Sequence, residues 1–428
     1  MKKTPFLELP VGRVALLILG SLALGGFSSA FAAGEASPAL GLGDAVGLAF
    51  DKSPALRARE AALRQVQADL VRARTYPFNP ELDLGAGDRQ GPDVSSTDYE
   101  ILLTQEIEIA AQRRKRISVG QSDLSAAESL LRREQRRLAF EVEIAFAEAL
   151  AWRELVEIAQ IDADLTRGLF DFAKRRLDAG AGTQVALNLA QATAGRSEKA
   201  LQQAVAAYKA AGHRLAEVVG LPPESRVEPL GGLSLRERDL PPLEELVRQA
   251  LVERADLTAA RYEMDAAEGA IRLAKSQAFP NLKVGLFYSE EEGTDRIKGV
   301  GLQLPIPLFN RNQGEIARAQ ATSERQVAEA STAELAVRRE VADAYAEYLA
   351  ARDSAAALSY LVVGTFEENL SLLQRALEAG KIDAAEVLVF RREFVGGQRE
   401  YVEVLFAAWV AAISLDLATG STSVPSSE

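Results

Sequence analysis

The feature that most constrains this chain is that nearly all of it is written twice. Ser53-Pro54-Ala55-Leu56 answers Arg254-Ala255-Asp256-Leu257, and Pro80-Glu81-Leu82 answers Pro280-Asn281-Leu282. Gln105-Glu106-Ile107-Glu108-Ile109 answers Leu304-Pro305-Ile306-Pro307-Leu308, Asp178-Ala179-Gly180 answers Glu378-Ala379-Gly380, and Val219-Gly220 answers Thr419-Gly420. The offset holds near about 200 residues and the order never changes, so the chain must fold as two versions of one supersecondary unit.

The first copy is read over residues 33–220 and the second over 241–420. Between them a Pro- and Gly-rich segment, 221–240, reads as a linker. The tail 421–428 is expected to be disordered. Each copy opens with a short helix and a second, Ala- and Arg-rich helix, which ends at Pro77 and Pro80 in one copy and at Pro280 in the other. Each then alternates with period two through a hairpin, about 80–109 and about 281–309. Proline-free stretches follow, giving long helices at about 112–178 and 183–220, and at about 312–378 and 383–419. A helix of about 67 residues reaches roughly 100 Å. Leu130, Leu131, Leu138, Ile144, Leu150, Leu155 and Ile158 recur at coiled-coil spacings. Gly180 and Gly380 stand in register in both copies and are read as the turns; Gly168 and Gly364 do not.

In the hairpins Leu82, Leu84 and Ala86 share one face, as do Tyr99, Ile101, Leu103, Ile107 and Ile109. The second copy repeats this with Leu282, Val284, Leu286 and Tyr288, then Val300, Leu302, Leu304, Ile306 and Leu308. Glu100, Thr104, Glu106, Glu108, Lys283, Ser289, Lys298 and Gln303 are assigned to the opposite faces. One apolar and one polar face suit lipid outside and water inside. Four strands cannot close a barrel, and open edges cannot face lipid. Strands placed in a membrane therefore require an oligomer, and three copies supply twelve strands.

Lys2, Lys3 and Arg13, an apolar run from Val14 to Leu24, and Ala30-Phe31-Ala32 read together as a signal peptide over 1–32. No later stretch reads as a membrane-spanning helix. The chain has no cysteine, one His and two Met, which leaves little for thiol, imidazole or soft-metal chemistry. Neither a cofactor nor an enzymatic activity is expected. A formal charge of -12 with no basic stripe argues against nucleic acid. A soluble periplasmic coiled-coil adaptor or scaffold is the alternative of a different class.

The duplication, Leu302-x-x-Pro305-x-Pro307-Leu308-Phe309, AGAGTQVALNLAQA and AGKIDAAEVLVFRRE together resemble the outer-membrane efflux protein (TolC-like) family over nearly the whole mature length. The resemblance implies a mainly α fold with a membrane β-barrel portion: four strands per protomer, a trimeric twelve-stranded barrel and an α-helical periplasmic tunnel. PLFNRNQGEIARAQA and QEIEIAAQRRKRISVG resemble the branch serving cobalt–zinc–cadmium type heavy-metal RND pumps. The implied function is a passive outer-membrane duct in a tripartite efflux system, carrying divalent metal cations. Drugs or a secreted polypeptide are the alternative cargoes. The implied partners are two further copies, a periplasmic adaptor (membrane fusion) protein, an inner-membrane RND pump and outer-membrane lipid.

The resemblance also assigns residues. Gly180, Gly182, Thr183, Gly380, Lys381 and Asp383 would form the periplasmic tip that meets the adaptor. Glu386 stands where the family places one constriction aspartate, with Asp383 one helical turn before it, while Val389 replaces the second aspartate. At the strand-to-helix motif Pro305, Pro307, Phe309, Asn310, Asn312, Gly314 and Glu315, the prolines end a strand and Asn312 with Glu315 is expected to make a capping box. The cluster Arg113, Arg114, Lys115 and Arg116 opposes the dipole of the helix it opens. It is read either as a lipid-phosphate contact or as an ordinary salt-bridged face.

Overall fold

The computed structural model describes residues 39–91, 95–222, 224–235, 238–362, 372, 375–376, 382 and 384–421. The expected signal peptide, most of the tail, Gly364, Gly380, Lys381 and Asp383 lie outside the described residues.

The first copy comprises β1 (Ala39–Leu40), α1 (Leu42–Lys52), α2 (Pro54–Arg74), β2 (Glu81–Gln90), β3 (Ser95–Ile107), α3 (Gln112–Asp178) and α4 (Gln184–Val219). A two-residue strand, β4 (Glu228–Pro229), pairs in parallel with β1. The second copy comprises α5 (Leu243–Glu253), α6 (Ala255–Gln277), β5 (Leu282–Glu291), β6 (Asp295–Gln303), α7 (Gln313–Val362) and α8 (Ala384–Thr419).

Local chemistry sets these boundaries. Pro54 occupies the first turn of α2, where its missing N–H costs nothing, and Ser53 caps that turn by accepting from Leu56 N–H at 3.4 Å. The matched start of α6 has no side-chain cap at Arg254; instead Asp256 accepts from Leu257 N–H at 3.0 Å. Gly220 closes α4 at φ 82°, a left-handed position that favours glycine. Gly168 lies inside an unbroken α3.

Alanine governs the packing. Ala145, Ala147, Ala149 and Ala151 are buried on α3, so neighbouring helices approach it on more than one side. Val142, Phe146 and Leu150 pack with α1, with Leu215 and Val219 of α4, and with Val402 and Ile413 of α8. A second core joins Leu257 of α6, Val337, Val341 and Tyr348 of α7, and Leu415 of α8. The inter-copy segment is strapped to this body: Arg153 donates to Pro229 O at 2.8 Å, Glu154 accepts from Leu233 N–H at 3.1 Å, and Arg238 donates to Asp416 at 2.6 Å.

One expectation is corrected here. The stretch Glu386–Thr419 of α8 is long and apolar enough to cross a membrane, its most apolar window having a mean hydropathy of 1.7. Its apolarity serves packing, since 61% of its most apolar window is buried against the other helices.

The four long strands form one antiparallel sheet in the order β2-β3-β5-β6. Helices follow the same lateral order, α2 on α3, α3 on α6 and α6 on α7, each joined to the strand in its place in the sheet. Along α3 and α7 the partners also include α4 and α8: α4 packs on α3, and α8 packs on both α3 and α7.

The register assembles the alternating residues into one continuous apolar face. Leu82, Leu103, Leu286 and Val300 form one row, and Val284 with Leu302 extends it in the next. These side chains stand exposed, Leu84 at 72% and Leu302 at 70%. Lys298, assigned above to the polar face, belongs to this apolar one: it pairs with Tyr288 and shares the parity of Val300. Its ammonium sits 5.9 Å from the Tyr288 ring centroid, where a long stem covers apolar surface while the charge stays at its end. The opposite face carries Glu81, Asp83, Glu100, Thr104 and Lys283, with Gly285, Gly299 and Gly301 among them. At Gly299 any Cβ would lie 2.3 Å from the Phe287 ring, so only glycine admits that ring.

Candidate functional site

Far from the sheet, α3 turns into α4. Gly180 takes φ 71°; its N–H donates to Leu177 O at 2.9 Å and Ala181 N–H to Arg176 O at 2.9 Å. Those two bonds make a Schellman closure of α3. Gly182 is fixed by space, because a Cβ there would come 2.8 Å from Leu177 N. Thr183 then opens α4 by accepting from Ala186 N–H at 3.1 Å. The turn therefore satisfies its own backbone and leaves side chains outward, with Val185 77% exposed and Leu189 also exposed beside it.

On the facing helix, Glu386 is exposed in the first turn of α8, and Val389 and Phe390 are exposed after it. Val387 turns inward to pack with Leu169 and Phe172 of α3 and with Ile382. Higher on α8, Arg391 reaches across to α3 and holds both carboxylate oxygens of buried Asp162; it also donates to Ser197 of α4 at 2.9 Å. This ion pair ties the two copies together, and nothing local in the sequence announced it.

The strand-to-helix motif is corrected in one respect. Asn312 does not make a capping box with Glu315. It takes φ 58°, and its amide donates to Ala274 O at 2.8 Å, while Glu315 pairs with Arg318. Gln313 instead fastens the residues that lead into α7: its Oε1 accepts from Arg311 N–H at 2.7 Å and its amide donates to Phe309 O at 3.1 Å. Asn310 accepts from Asn312 N–H at 3.0 Å, and Gly314 faces open space. Pro305 and Pro307 follow the last ladder residue, Gln303, because a residue without an N–H cannot extend the ladder.

The same device opens α3. Ala111 takes φ 58°, and Gln112 Oε1 accepts from Ala110 N–H at 2.8 Å. The basic cluster beside it is mostly engaged: Arg113 donates to Arg74 O at the end of α2 at 2.9 and 2.6 Å, Lys115 donates to Ala110 O at 3.3 Å, and Arg116 pairs with Glu108 at 2.8 Å. Arg113 thus caps a helix C-terminus, where positive charge is favourable. Tyr76 lodges its hydroxyl between Glu106 O and Glu108 N at 2.9 and 3.0 Å.

Comparison with known proteins matches this architecture. The outer membrane efflux protein profile covers residues 45–221 and again 246–421, one match for each copy. The cobalt-zinc-cadmium resistance protein CzcC of Cupriavidus metallidurans is 26% identical over 90% of this chain and 91% of its own length. The protein CyaE of Bordetella pertussis is 29% identical over 88% of this chain and 83% of its own. The crystal structure of the outer membrane protein VceC of Vibrio cholerae superposes with a TM-score of 0.72 at 21% identity, covering 89% of this chain and 96% of that one. A chain with two family matches, one per copy, and an apolar sheet face above a long helical body belongs to the outer membrane efflux protein family and is a protein of the outer membrane.

Proposed function

We propose that three copies of this chain close a twelve-stranded barrel in the outer membrane, continued by a helical tunnel into the periplasm, and that the assembly is a passive duct. One observation carries this reading: the two open sides of the chain match at every level. On one side lie β2 and α2; on the other lie β6 and α7. Joining unlike sides head to tail generates a ring when the rotation closes. Two copies would give an eight-stranded barrel, whose interior side chains fill, so a duct needs at least three.

The polar sheet face then lines the lumen and the apolar face meets lipid. The tip at Gly180, Gly182 and Thr183, with Gly380, Lys381 and Asp383 of the second copy, is the end that meets a periplasmic adaptor coupled to an inner-membrane RND pump. Exposed Glu386, together with Asp383, narrows the entrance and favours cations. The cargo is divalent heavy-metal cations, supported by the similarity to CzcC across both chains. Deleting the gene should lower tolerance to zinc, cobalt or cadmium while leaving a drug panel unchanged. Unchanged metal tolerance with new drug sensitivity would overturn the cargo assignment and leave the duct standing.

A further inference from the structure

Duplication lets each helix be compared with its counterpart, and one helix face keeps different company in the two copies. Counted from Arg254 and Ser53, the residues Ala255, Ala259, Ala266 and Gly269 of α6 answer Pro54, Ala58, Gln65 and Ala68 of α2. Spacings of four, seven and three set these four on one side of each helix. All four are buried in α6, Ala259 at 2% exposure and Ala266 at 7%, and all four are exposed in α2.

In α6 that side meets α3. A Cβ at Gly269 would come 2.9 Å from Val119 Cγ2, so the two backbones approach as closely as glycine allows. On α2 the opposite side packs on α3, with Leu70 and Ala73 lying over Gly120. The counterpart of α3 is α7, and its matching side is open as well. Counted from Gln112 and Gln313, Val119 answers Gln320, and buried Ala126 answers Val327, which is 46% exposed. Leu335, further along that side, is 69% exposed.

Exposure alone does not name an occupant; the internal contact does. Within the chain, α3 of the first copy receives α6 of the second. Across a head-to-tail joint, α7 of one chain meets α2 of the next, so the same two counterparts come together again. Near the sheet α3 begins and α6 ends, so the two run antiparallel. Set the same way, with Ala68 level with Gln320, α2 and α7 also match in charge. One turn further from the sheet Arg64 comes level with Glu324, both exposed and neither in an ion pair among the described residues. Val327 then falls level with Ala61, and Leu335 reaches the start of α2 at Ser53 and Pro54.

We propose that the helical seam between neighbouring chains repeats the α3–α6 contact. The Pro54, Ala58, Gln65 and Ala68 side of α2 lies on the Gln320, Val327 and Leu335 side of α7, with Arg64 facing Glu324. The occupant is a second copy of this chain; the proposal rests on the ring reading and adds the register below the sheet. Small side chains on α2 set the close approach, and an exposed charge pair sets alignment more than strength.

Disulfide trapping in the cysteine-free chain tests that register. Ala68→Cys with Gln320→Cys is oxidised in native membranes beside Ala58→Cys with Gln320→Cys, which lies about 15 Å out of register. A panel pairing β2 with β6, including Gly87→Cys with Gly301→Cys, reports the ring separately. The seam predicts covalent trimers from the Ala68→Cys pairing and none from the Ala58→Cys pairing. Trimers from the sheet panel, with neither helix pairing linked or with only the Ala58→Cys pairing linked, would overturn the seam and leave the ring. No linking in either set would remove the ring and the seam together.

Discussion

The two strand-to-helix passages reach the same endpoint by different routes. The first runs only from Glu108 to Ala111, beneath a strand in the middle of the sheet; the second runs from Leu304 to Asn312, beneath an edge strand. Both place a residue at φ 58° before the helix, and both use the following Gln to bind the N–H two residues back. The first passage is enclosed, with Gln112 only 3% exposed, and Gln112 also donates to Asn281 at 3.2 Å. The second is exposed and carries the two prolines. The shared device fixes helix entry, whereas position in the sheet decides what else the passage can carry. A central passage is closed off by its neighbours, while an edge passage can lengthen and present apolar side chains.

The strongest way to break the pairing of the copies is at Asp162. Asp162→Leu leaves Arg391, itself 15% exposed, with a largely buried and unpaired charge, which should cost up to about 3–5 kcal/mol. Arg391→Leu added to it should recover most of that loss, as read by denaturant unfolding of the detergent-solubilised protein. A double variant as unstable as the single one would mean that packing, not charge, joins the copies there.

The passages themselves separate next. Gln112→Ala leaves buried donors and acceptors unmet and should cost about 1–3 kcal/mol, whereas exposed Gln313→Ala should cost less than about 1 kcal/mol. Equal losses would contradict the distinction between enclosed and open passages. A gain is expected at Ala111→Gly, because a residue with a Cβ held in the left-handed region costs roughly 1–2 kcal/mol. Asn312→Gly should gain less, since Asn tolerates that region and here also bonds Ala274 O.

A smaller, pH-dependent difference separates the two helix starts. Ser53 caps α2 with an uncharged hydroxyl. At α6, burial pushes the Asp256 carboxyl up, but the hydrogen bonds and charge of Arg254 outweigh it and hold the group below the ordinary carboxylate range. A depressed folded value contributes stability above the unfolded pKa, about 3.9, and loses it as pH falls through the folded value. Asp256→Asn should therefore flatten the acid limb of the stability profile, while Ser53→Ala should lower stability by about 1 kcal/mol at every pH. A parallel acid limb in Asp256→Asn and the parent would remove this contrast.

Much of the architecture was legible because it is periodic. Proline-free runs mark the long helices, and alternation at Leu82, Leu84, Leu286 and Val300 marks the face that the register assembles. Lys298 was readable too, since its parity with Val300 places it on that face whatever its charge. The helix-entry device was harder to see, because Asn312 and Glu315 offered a familiar pattern. Counting back from the helices instead sets Gln112 opposite Gln313, the signal that would have found it. Asp162 and Arg391 meet across 229 residues, and no local pattern encodes such a pair. At the tip, Gly182 is explained by its approach to Leu177 N, which only coordinates reveal.

In the proposed assembly, unlike edges of neighbouring copies join into a ring of three. The chain has no cysteine, so a panel combining one cysteine along β2 with one along β6, such as Gly87→Cys with Gly301→Cys, both of which have open space at Cβ, can be oxidised in native membranes without background. Closed rings of the 46.1 kDa chain predict that the best-registered pairs give covalent dimers and trimers, with the trimer as the end point and each single variant monomeric. A panel that gives only monomers, or that stops at dimers, would contradict the ring.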